Sequence, residues 1–269
     1  MKTVLTIAGS DCSGGAGIQA DIKTITAHKC YAMSAFAMLT AQNTTGIQSS
    51  LEIPNDFFSQ QIDSCFSDIY PDAVKTGALF STDKIHIASK KLKLYNAKNI
   101  VVDPVMVCTA NNCITDCLLK PEAIQSMMEE LFPLATIITP NIPEAEVLYK
   151  KITGKNIHIQ NKNDIEHVAK TISSIAKNSY ILLKGGHFTE CNDCLYFNNY
   201  CDWIIGTRIE TKNTHGTGCT LSSAIASNLA LNHDIINAVK LAKKYVENAI
   251  KNNPNLGKGY GPINHCWNL

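Results

Sequence analysis

The hydrophobic positions of this chain fall into short continuous runs, separated by longer stretches in which apolar residues recur every three or four positions. The short runs are rich in Val, Ile and Leu, which is typical of strands buried on both faces of a sheet. They predict strands at Thr3–Ala8, Ala32–Leu39, Ala73–Thr76, Ile100–Val102, Thr136–Thr139 and Tyr180–Leu183. The longer stretches predict helices at Ile18–His28, Asn55–Phe66, Thr82–Leu94, Pro121–Leu131, Ile142–Tyr149, Lys162–Ala176, Gly218–Leu231 and Asp234–Asn252.

Strands that alternate with helices in this way predict an α/β fold, with a mainly parallel sheet covered by helices on both faces. The region from Cys194 to Thr211 breaks the alternation and predicts short antiparallel strands. We find no internal repeat, no low-complexity segment and no linker, so a single domain over residues 1–269 is the simplest account. Because ligands of open α/β sheets collect at the carboxyl ends of the strands, the motifs that follow strands are the candidate sites.

Charge and hydropathy narrow the class of partner. The 269-residue chain has a formal net charge of +1, so it lacks the strong excess of positive charge that is typical of nucleic-acid-binding proteins. The longest nearly apolar run, Tyr31–Leu39, is far short of a membrane span, and the N-terminal apolar run leads into a glycine loop. We therefore expect a cytoplasmic protein without a membrane partner. Arg208 is the only arginine, so an anionic ligand must be held by lysine, backbone N–H groups or a metal ion.

The chain has 11 cysteines, and reduced thiols that serve as small apolar residues are the expected state. One cluster allows a second interpretation, because it contains a C-x-x-C pair with further ligand types nearby. Zinc would need four such ligands in tetrahedral geometry, whereas a surface hairpin needs none. The residues of this candidate zinc cluster are His187, Cys191, Cys194 and Cys201.

Two loops suit a small polar substrate. The glycine loop Ala8–Asp21, AGSDCSGGAGIQAD, keeps a strand-to-helix turn free of side chains, so a ligand can approach its backbone closely. Asp21 either interacts favourably with the dipole of the following helix, or faces the cleft and helps to position the substrate. Gln42 follows an apolar strand, and its amide offers a donor and an acceptor to an aminated heterocycle, although a solvated glutamine is the alternative.

Acidic residues follow two other predicted strands. Asp103 lies in VVDPVM, and Asn141 and Glu144 lie in TPNIPEAE. Carboxylates combined with substrate phosphates are how Mg²⁺ is usually held. Glu144 also falls in the first turn of a helix, where the dipole alone explains a carboxylate. Both interpretations remain open at this point.

The stretch Asn213–Thr220, NTHGTGCT, precedes a predicted helix. The first N–H groups of a helix lack intrahelical partners and attract anions, and two glycines allow several of them to converge. An ordinary helix capped by Thr214 or Thr217 is the alternative. We expect anion binding, because a simple cap needs one such residue rather than two glycines and two threonines.

These segments together resemble the ribokinase-like kinases, and within them the hydroxymethylpyrimidine/phosphomethylpyrimidine kinases of thiamine biosynthesis. The matching stretches run in family order along nearly the whole chain: LTIAGSDCSGGAGIQADIKT, AQNTTGIQS, VKTGAL, VVDPVM, TPNIPEAEVL, LLKGGH, NTHGTGCTLSSAIA and GKGYGPINH. The resemblance implies a three-layer α/β/α sandwich and a homodimer. It implies transfer of phosphoryl from ATP-Mg²⁺ to 4-amino-5-hydroxymethyl-2-methylpyrimidine, and then to the resulting monophosphate.

The resemblance also implies roles for individual residues. The loop Gly216–Cys219 is similar to the family's anion hole, and Cys219 occupies the position of the usual aspartate base. We expect the helix N-terminus to lower the pKa of this thiol, so that it accepts the substrate hydroxyl proton. The implied sites are catalytic Gly216, Thr217, Gly218 and Cys219; substrate-binding Gly9, Asp21 and Gln42; ATP-binding Asn141, Lys184 and Thr214; and metal-binding Asp103 and Glu144.

Two departures from the family pattern concern the breadth of substrates. Ala78 stands where the family commonly has methionine, and VCTANNC (107–113) replaces a loop that is commonly rich in serine and glycine. Pyridoxal, which also carries a hydroxymethyl group, is therefore the alternative substrate. A non-catalytic ligand-binding protein is a second alternative, and the presence of all the implied site residues counts against it.

Overall fold

One sheet organises the molecule in the computed structural model, which describes residues 1–106, 119, 121–186 and 191–269. Over these residues the sheet has nine strands in the order β3-β2-β1-β4-β5-β6-β7-β8-β9. The strands are β1 (Thr3–Gly9), β2 (Tyr31–Asn43), β3 (Gly46–Glu52), β4 (Ala73–Thr76), β5 (Ile100–Val102), β6 (Ile137–Ile138), β7 (Tyr180–Leu183), β8 (Asp193–Phe197) and β9 (Tyr200–Ile204). The strands from β2 to β7 in this order pair in parallel, while β3, β8 and β9 pair antiparallel at the two edges.

Helices cover both faces of this sheet and divide the core into two layers. They are α1 (Gly17–Ala27), α2 (Asn55–Asp68), α3 (Thr82–Leu94), α4 (Pro121–Ser126), α5 (Ile142–Thr153), α6 (Lys162–Ser173), α7 (Thr217–Ala230) and α8 (Ile235–Lys251). Alternate residues of one strand enter opposite layers, since Leu5 and Ile7 of β1 lie in one core cluster and Val4 lies in the other. The cluster with Val4 also contains residues of α1, α7 and α8. The three-layer α/β/α architecture predicted from the sequence is confirmed.

The order of the strands creates a crevice above β1 and β4. The chain leaves β1 for β2 on one side, whereas β4 pairs with the other side of β1. Loops that follow these neighbouring parallel strands therefore diverge and leave space between them, which is where α/β sheets bind ligands. Gly9 ends β1 and Gly77 follows β4, so side-chain-free backbone borders this crevice.

Most predicted elements agree with the structure to within a few residues, and the antiparallel strands expected after Cys194 are confirmed by β8 and β9. Three differences stand out. Strand β3 was not predicted, because most of its residues are exposed and show no apolar alternation. Strand β2 runs on to Asn43, since β3 pairs with its extension. The predicted helix Pro121–Leu131 changes at Met127 from α4 into a π-helical turn.

Among the described cysteines, one pair differs from the expectation of reduced thiols. Cys194 of β8 and Cys201 of β9 form a disulfide, with Cα atoms 6.0 Å apart. Tyr196 pairs with Cys201 and Cys194 pairs with Trp203, so the two cysteines are diagonal neighbours on one face of the hairpin. No group of three or more metal-ligating side chains occurs among the described residues, and His187 of the candidate zinc cluster lies outside them. The described helices also include none long and apolar enough to cross a bilayer.

Candidate active site

A cavity of about 530 Å³ opens at the carboxyl ends of the parallel strands. It brings together residues from loops that are far apart in the sequence. Eleven of the twelve predicted site residues line it, and Asp21 is the exception. The lining includes Gly9, Gln42, Asp103, Asn141, Glu144, Lys184, Thr214, Gly216, Thr217, Gly218 and Cys219.

The start of α7 differs from an ordinary capped helix. Its N-cap is Gly216 in the left-handed region at φ 81°, and no side chain in the described part of the chain caps the helix. Thr217 turns its hydroxyl back to the carbonyl of Thr214 at 2.7 Å, so neither threonine serves as the expected cap. Within the described residues, the N–H groups of Gly218 and Cys219 have no backbone acceptor outside the helix, which leaves them for an anion.

Backbone contacts fix the shape of this loop. A Cβ at Gly216 would lie 1.8 Å from the carbonyl oxygen of Gly15, so only glycine allows the loop to dock on the glycine loop after β1. Gly218 is different, because its Cβ would make ordinary contacts with Lys184 Nζ at 3.6 Å and Asp103 Oδ2 at 3.8 Å. These distances place the lysine and the carboxylate directly beside the unpaired amides.

Asp103 is the centre of a buried polar cluster at the end of β5. Its Oδ1 accepts hydrogen bonds from Lys184 Nζ and Thr139 Oγ1, each at 3.2 Å, and its Oδ2 accepts one from Ser222 of α7 at 3.2 Å. Burial alone would lower the pKa of Lys184, but the neighbouring Asp103 and Glu144 raise it above its ordinary value. The lysine therefore remains a cation over the whole physiological pH range.

Asn141 and Glu144 form the capping box of α5. The Asn141 side chain accepts the N–H of Glu144, and the Glu144 carboxylate accepts the N–H of Asn141, each at 2.9 Å. Burial raises the pKa of Glu144 to about 7, Lys184 opposes this rise, and Asp103 adds to it. The two predicted roles of Glu144 are thus compatible, because it caps the helix and also lines the cavity near a second carboxylate.

Gln42, which the sequence motifs predict to bind the substrate, lies beside two residues that those motifs did not single out. Gln42 Nε2 is 3.4 Å from His215 Nε2, and the same nitrogen of His215 is 2.8 Å from Asp11 Oδ2. Asp11 also accepts the N–H groups of Ser13 and Ala16, at 2.9 and 2.8 Å. Burial alone would raise the pKa of Asp11, but these partners, led by His215, lower it. Asp11 and His215 therefore tie the glycine loop to the start of α7.

Asp21 does not face the cleft as the substrate-binding prediction required. It is fully buried and accepts hydrogen bonds from Lys75 Nζ at 2.8 and 3.0 Å, from Thr6 Oγ1 at 2.6 Å and from Ser223 Oγ at 2.7 Å. The helix dipole does not explain the position of Asp21 either, because the fully buried ammonium group of Lys75 is the partner of this carboxylate. Asp21 thus joins β1, β4 and α7 beneath the cavity.

The expectation that the pKa of the Cys219 thiol is lowered is also wrong. Burial raises the pKa of this thiol to about 11; Lys75 opposes the rise, while Asp21 and Asp103 add to it. Desolvation of the charged form therefore outweighs the helix N-terminus. The thiol is protonated at neutral pH, and any base role requires it to ionise during the reaction.

Of the two departures from the family pattern, Ala78 lies among the described residues. Ala78 lines the cavity, and its carbonyl oxygen would be 3.7 Å from a Cβ at Gly9. The small side chain at this position takes up little of the cavity. The other departure, residues 107–113, lies outside the described residues.

The family follows from a direct comparison with known proteins. The sequence matches the family described as phosphomethylpyrimidine kinase over residues 11–264, which is more than half of the chain. The chain belongs to the phosphomethylpyrimidine kinase family. The resemblance predicted from the motifs is therefore confirmed, and the cavity is the candidate active site of a kinase of this family.

Individual relatives refine this assignment. The chain is 43% identical over 265 residues to the thiamine biosynthesis bifunctional protein ThiED of Geobacter sulfurreducens, covering 98% of this chain and 52% of that protein. It is 39% identical over 264 residues to the hydroxymethylpyrimidine/phosphomethylpyrimidine kinase of Bacillus subtilis, covering 97% and 93% of the two chains. Its fold is similar to the crystal structure of an ADP complex of Bacillus subtilis pyridoxal kinase, with a TM-score of 0.88, 36% identity and coverage of 98% and 97%. The chain spans about half the length of the first relative and nearly all of the other two.

Proposed function

We propose that this chain transfers phosphoryl groups from ATP to 4-amino-5-hydroxymethyl-2-methylpyrimidine, first to its hydroxyl group and then to the monophosphate. The single observation that supports this most strongly is the start of α7. Its unpaired amides lie beside Lys184 and Asp103, in the same cavity as Gln42. The family assignment and the name of the Bacillus subtilis kinase support the choice of substrate.

In this proposal the residues mainly position the reactants and stabilise charge, which is what phosphoryl transfer requires. Gln42 and the backbone at Gly9 hold the pyrimidine ring. Asn141, Lys184 and Thr214 lie along the ATP side, and Lys184 offsets phosphate charge. The N–H groups at Gly216–Cys219 meet the negative charge that develops on the transferred group; one such donor is typically worth about 10²–10³ in rate. Asp21 acts indirectly, by holding α7 against β1 and β4.

The donor set near Lys184 fits Mg²⁺. Asp103 and Glu144 are two buried carboxylates; burial, with a smaller contribution from Asp103, raises the pKa of Glu144, and Lys184 is the only described cation hydrogen-bonded to either. One or two carboxylates together with substrate phosphates are the usual environment of this ion. We propose that these two residues hold Mg²⁺, which would neutralise charge on the phosphates of ATP.

The hydroxyl proton must leave the substrate as the new P–O bond forms. We propose that Cys219 receives it as a thiolate. Because the resting thiol is protonated, only a small ionised fraction of the enzyme is competent at neutral pH. The alternative is that Cys219 only shapes the pocket, and its variants distinguish the two roles.

Pyridoxal is the second candidate substrate. It is favoured by the small Ala78 in the cavity wall and by the similarity of the fold to a pyridoxal kinase. The test is mass-spectrometric product analysis after incubation with ATP, Mg²⁺ and either alcohol. We expect the mono- and diphosphate of the pyrimidine, with the higher kcat/KM for the pyrimidine. A higher kcat/KM for pyridoxal would reverse the assignment, and ATP turnover at background rate with both alcohols would favour the non-catalytic alternative.

The assembly of the chain is proposed on the family resemblance alone, and its location on the short apolar runs of the sequence. We propose a cytoplasmic homodimer. Light scattering coupled to size-exclusion chromatography tests the dimer, because a mass of 29.4 kDa identifies a monomer and twice that mass a dimer. Fractionation of native cells tests the location.

A further inference from the structure

The segment 253–262 near the C-terminus contacts the loop before α7 and the turn between β2 and β3, and the residue roles proposed above do not include it. We name this segment the C-terminal clasp. It contains most of the motif GKGYGPINH, which runs from Gly257 to His265. The segment has no helix or strand of its own, so its position depends on contacts with other parts of the chain.

Asn213 is the main anchor of the clasp. Its side chain is buried, and its Nδ2 donates to Asn253 Oδ1 at 2.6 Å and to Asn255 Oδ1 at 3.2 Å. Its Oδ1 accepts the N–H of Gly261 at 3.2 Å. One amide side chain thus binds the clasp at three positions, and both of its donor hydrogens are used.

The clasp continues this contact towards the start of α7. The N–H of His215 donates to the carbonyl of Gly261 at 3.1 Å, and His215 forms a parallel β-bridge with Pro262. His215 is the residue immediately before Gly216, the N-cap of α7. The backbone just before the unpaired amides is therefore held by the clasp rather than by a side-chain cap.

The other end of the clasp holds the turn between β2 and β3. The N–H of Gly259 donates to Thr44 Oγ1 at 3.2 Å, and that of Tyr260 donates to the carbonyl of Thr44 at 3.0 Å. Thr44 is two residues after Gln42. A Cβ at Gly259 would lie 2.0 Å from the Thr44 carbonyl oxygen, so the close approach requires glycine at this position.

We propose that the C-terminal clasp aligns the pyrimidine-side turn with the amides at the start of α7, and that Asn213 is a positioning residue for phosphoryl transfer. The proposal rests on the function proposed above. Asn213 touches neither reactant in this scheme; it acts through His215 on the phosphoryl side, and the clasp acts through Thr44 on the pyrimidine side. Misplacement of reacting groups by about 1 Å is enough to cost about 10²-fold in rate.

The test compares Asn213→Ala with the matched control Asn252→Ala. Asn252 is exposed and lies next to the clasp; among the described residues its side chain bonds only back to the carbonyl of Asn248, at 2.9 Å. We expect Asn213→Ala to lower kcat at least tenfold while KM for ATP changes less than threefold, since the amides act on the transition state. The control should stay within twofold of the parent in both constants. A folded Asn213→Ala protein with kcat within twofold of the parent would overturn the proposal.

A second variant and a second measurement cover the other outcomes. If Asn213→Ala does not fold, Asn255→Gly removes the hydrogen bond to Asn213 and tolerates the left-handed backbone of this residue at φ 51°. It should lower kcat about threefold, and an unchanged kcat contradicts the proposal. Hydrogen exchange of the hydrogen-bonded amides of Thr214, His215 and Thr217 needs no activity and separates the clasp from the proposed function. These amides should exchange at least tenfold faster in the Asn213 or Asn255 variant than in the parent. If the parent phosphorylates no pyrimidine, the proposed function fails, and unchanged exchange would refute the clasp independently.

Discussion

The pH dependence of catalysis gives the most direct test of the role proposed for Cys219. Burial raises the pKa of its thiol to about 11. The thiolate fraction is then about 10⁻⁴ at pH 7 and about 10⁻² at pH 9, since each pH unit below the pKa costs a factor of ten. If the thiolate accepts the hydroxyl proton, kcat/KM for the pyrimidine alcohol should rise about a hundredfold between these pH values.

The assay is the initial rate of ADP release at saturating ATP-Mg²⁺ and low pyrimidine alcohol, at constant ionic strength. Cys219→Ala is the essential comparison, because Glu144, with a pKa of about 7, titrates at the lower end of the same range in both proteins. A slope that both proteins share belongs to Glu144, and a slope found only in the parent belongs to the thiol. Cys219→Asp should lose the slope, because an aspartate ordinarily ionises near pH 4.

Two results would refute this reasoning. One is a parent profile no steeper than that of Cys219→Ala between pH 8 and 9. The other is turnover of Cys219→Ala within twofold of the parent, which would leave the thiol a purely steric role. Stability provides an independent check of the pKa itself. Because the folded thiol has a pKa above its ordinary value of 9.0, the free energy of unfolding should fall as the pH rises from 9 to 11, and less so in Cys219→Ala.

Two further predictions concern the loop and the buried ion pair. Gly218→Val should lower kcat at saturating ATP about 10²-fold, because its side chain extends towards the space beside the unpaired amides; steady-state kinetics check this, and unchanged turnover would refute the placement of the phosphoryl group. Asp21→Asn should lower the free energy of unfolding by about 3–5 kcal/mol in urea denaturation, because it leaves Lys75 buried without a counter-charge. The control Asp202→Asn, whose partner Lys240 is half exposed and 3.8 Å away, should cost less than about 1 kcal/mol, and equal losses would contradict the argument.

Local patterns were sufficient to predict the framework of this fold. Buried parallel strands such as β1 and β4 must be apolar along their whole length, so they stand out in the sequence. Strand β3 lies at an edge with most of its side chains in solvent, and its pairing with β2 is decided by the turn between them. Nothing in the composition of such a strand separates it from a polar loop.

The candidate site was predictable only where one short motif contains the relevant residues. The amides at the start of α7 belong to one such motif. In contrast, the ion pair of Asp21 with Lys75 joins residues 54 positions apart, and the contact of Asp11 with His215 joins residues 204 positions apart. Such partners are brought together by strand order. The pKa of Cys219 was predicted in the wrong direction for the same reason. Burial of the thiol and the nearby carboxylates of Asp21 and Asp103 raise this pKa, and both follow from the fold rather than from the local sequence.

The central claim is that the amides at the start of α7 hold the transferred phosphoryl group. Hydrogen exchange at residues 216–219 tests it most directly, measured with and without ADP, Mg²⁺ and aluminium fluoride, a mimic of that group, in the presence of the pyrimidine alcohol. The account predicts that the amides of Gly218 and Cys219 exchange at least tenfold more slowly in the complex. Unchanged exchange at these two amides, with protection elsewhere in the cavity showing that the mimic is bound, would contradict it.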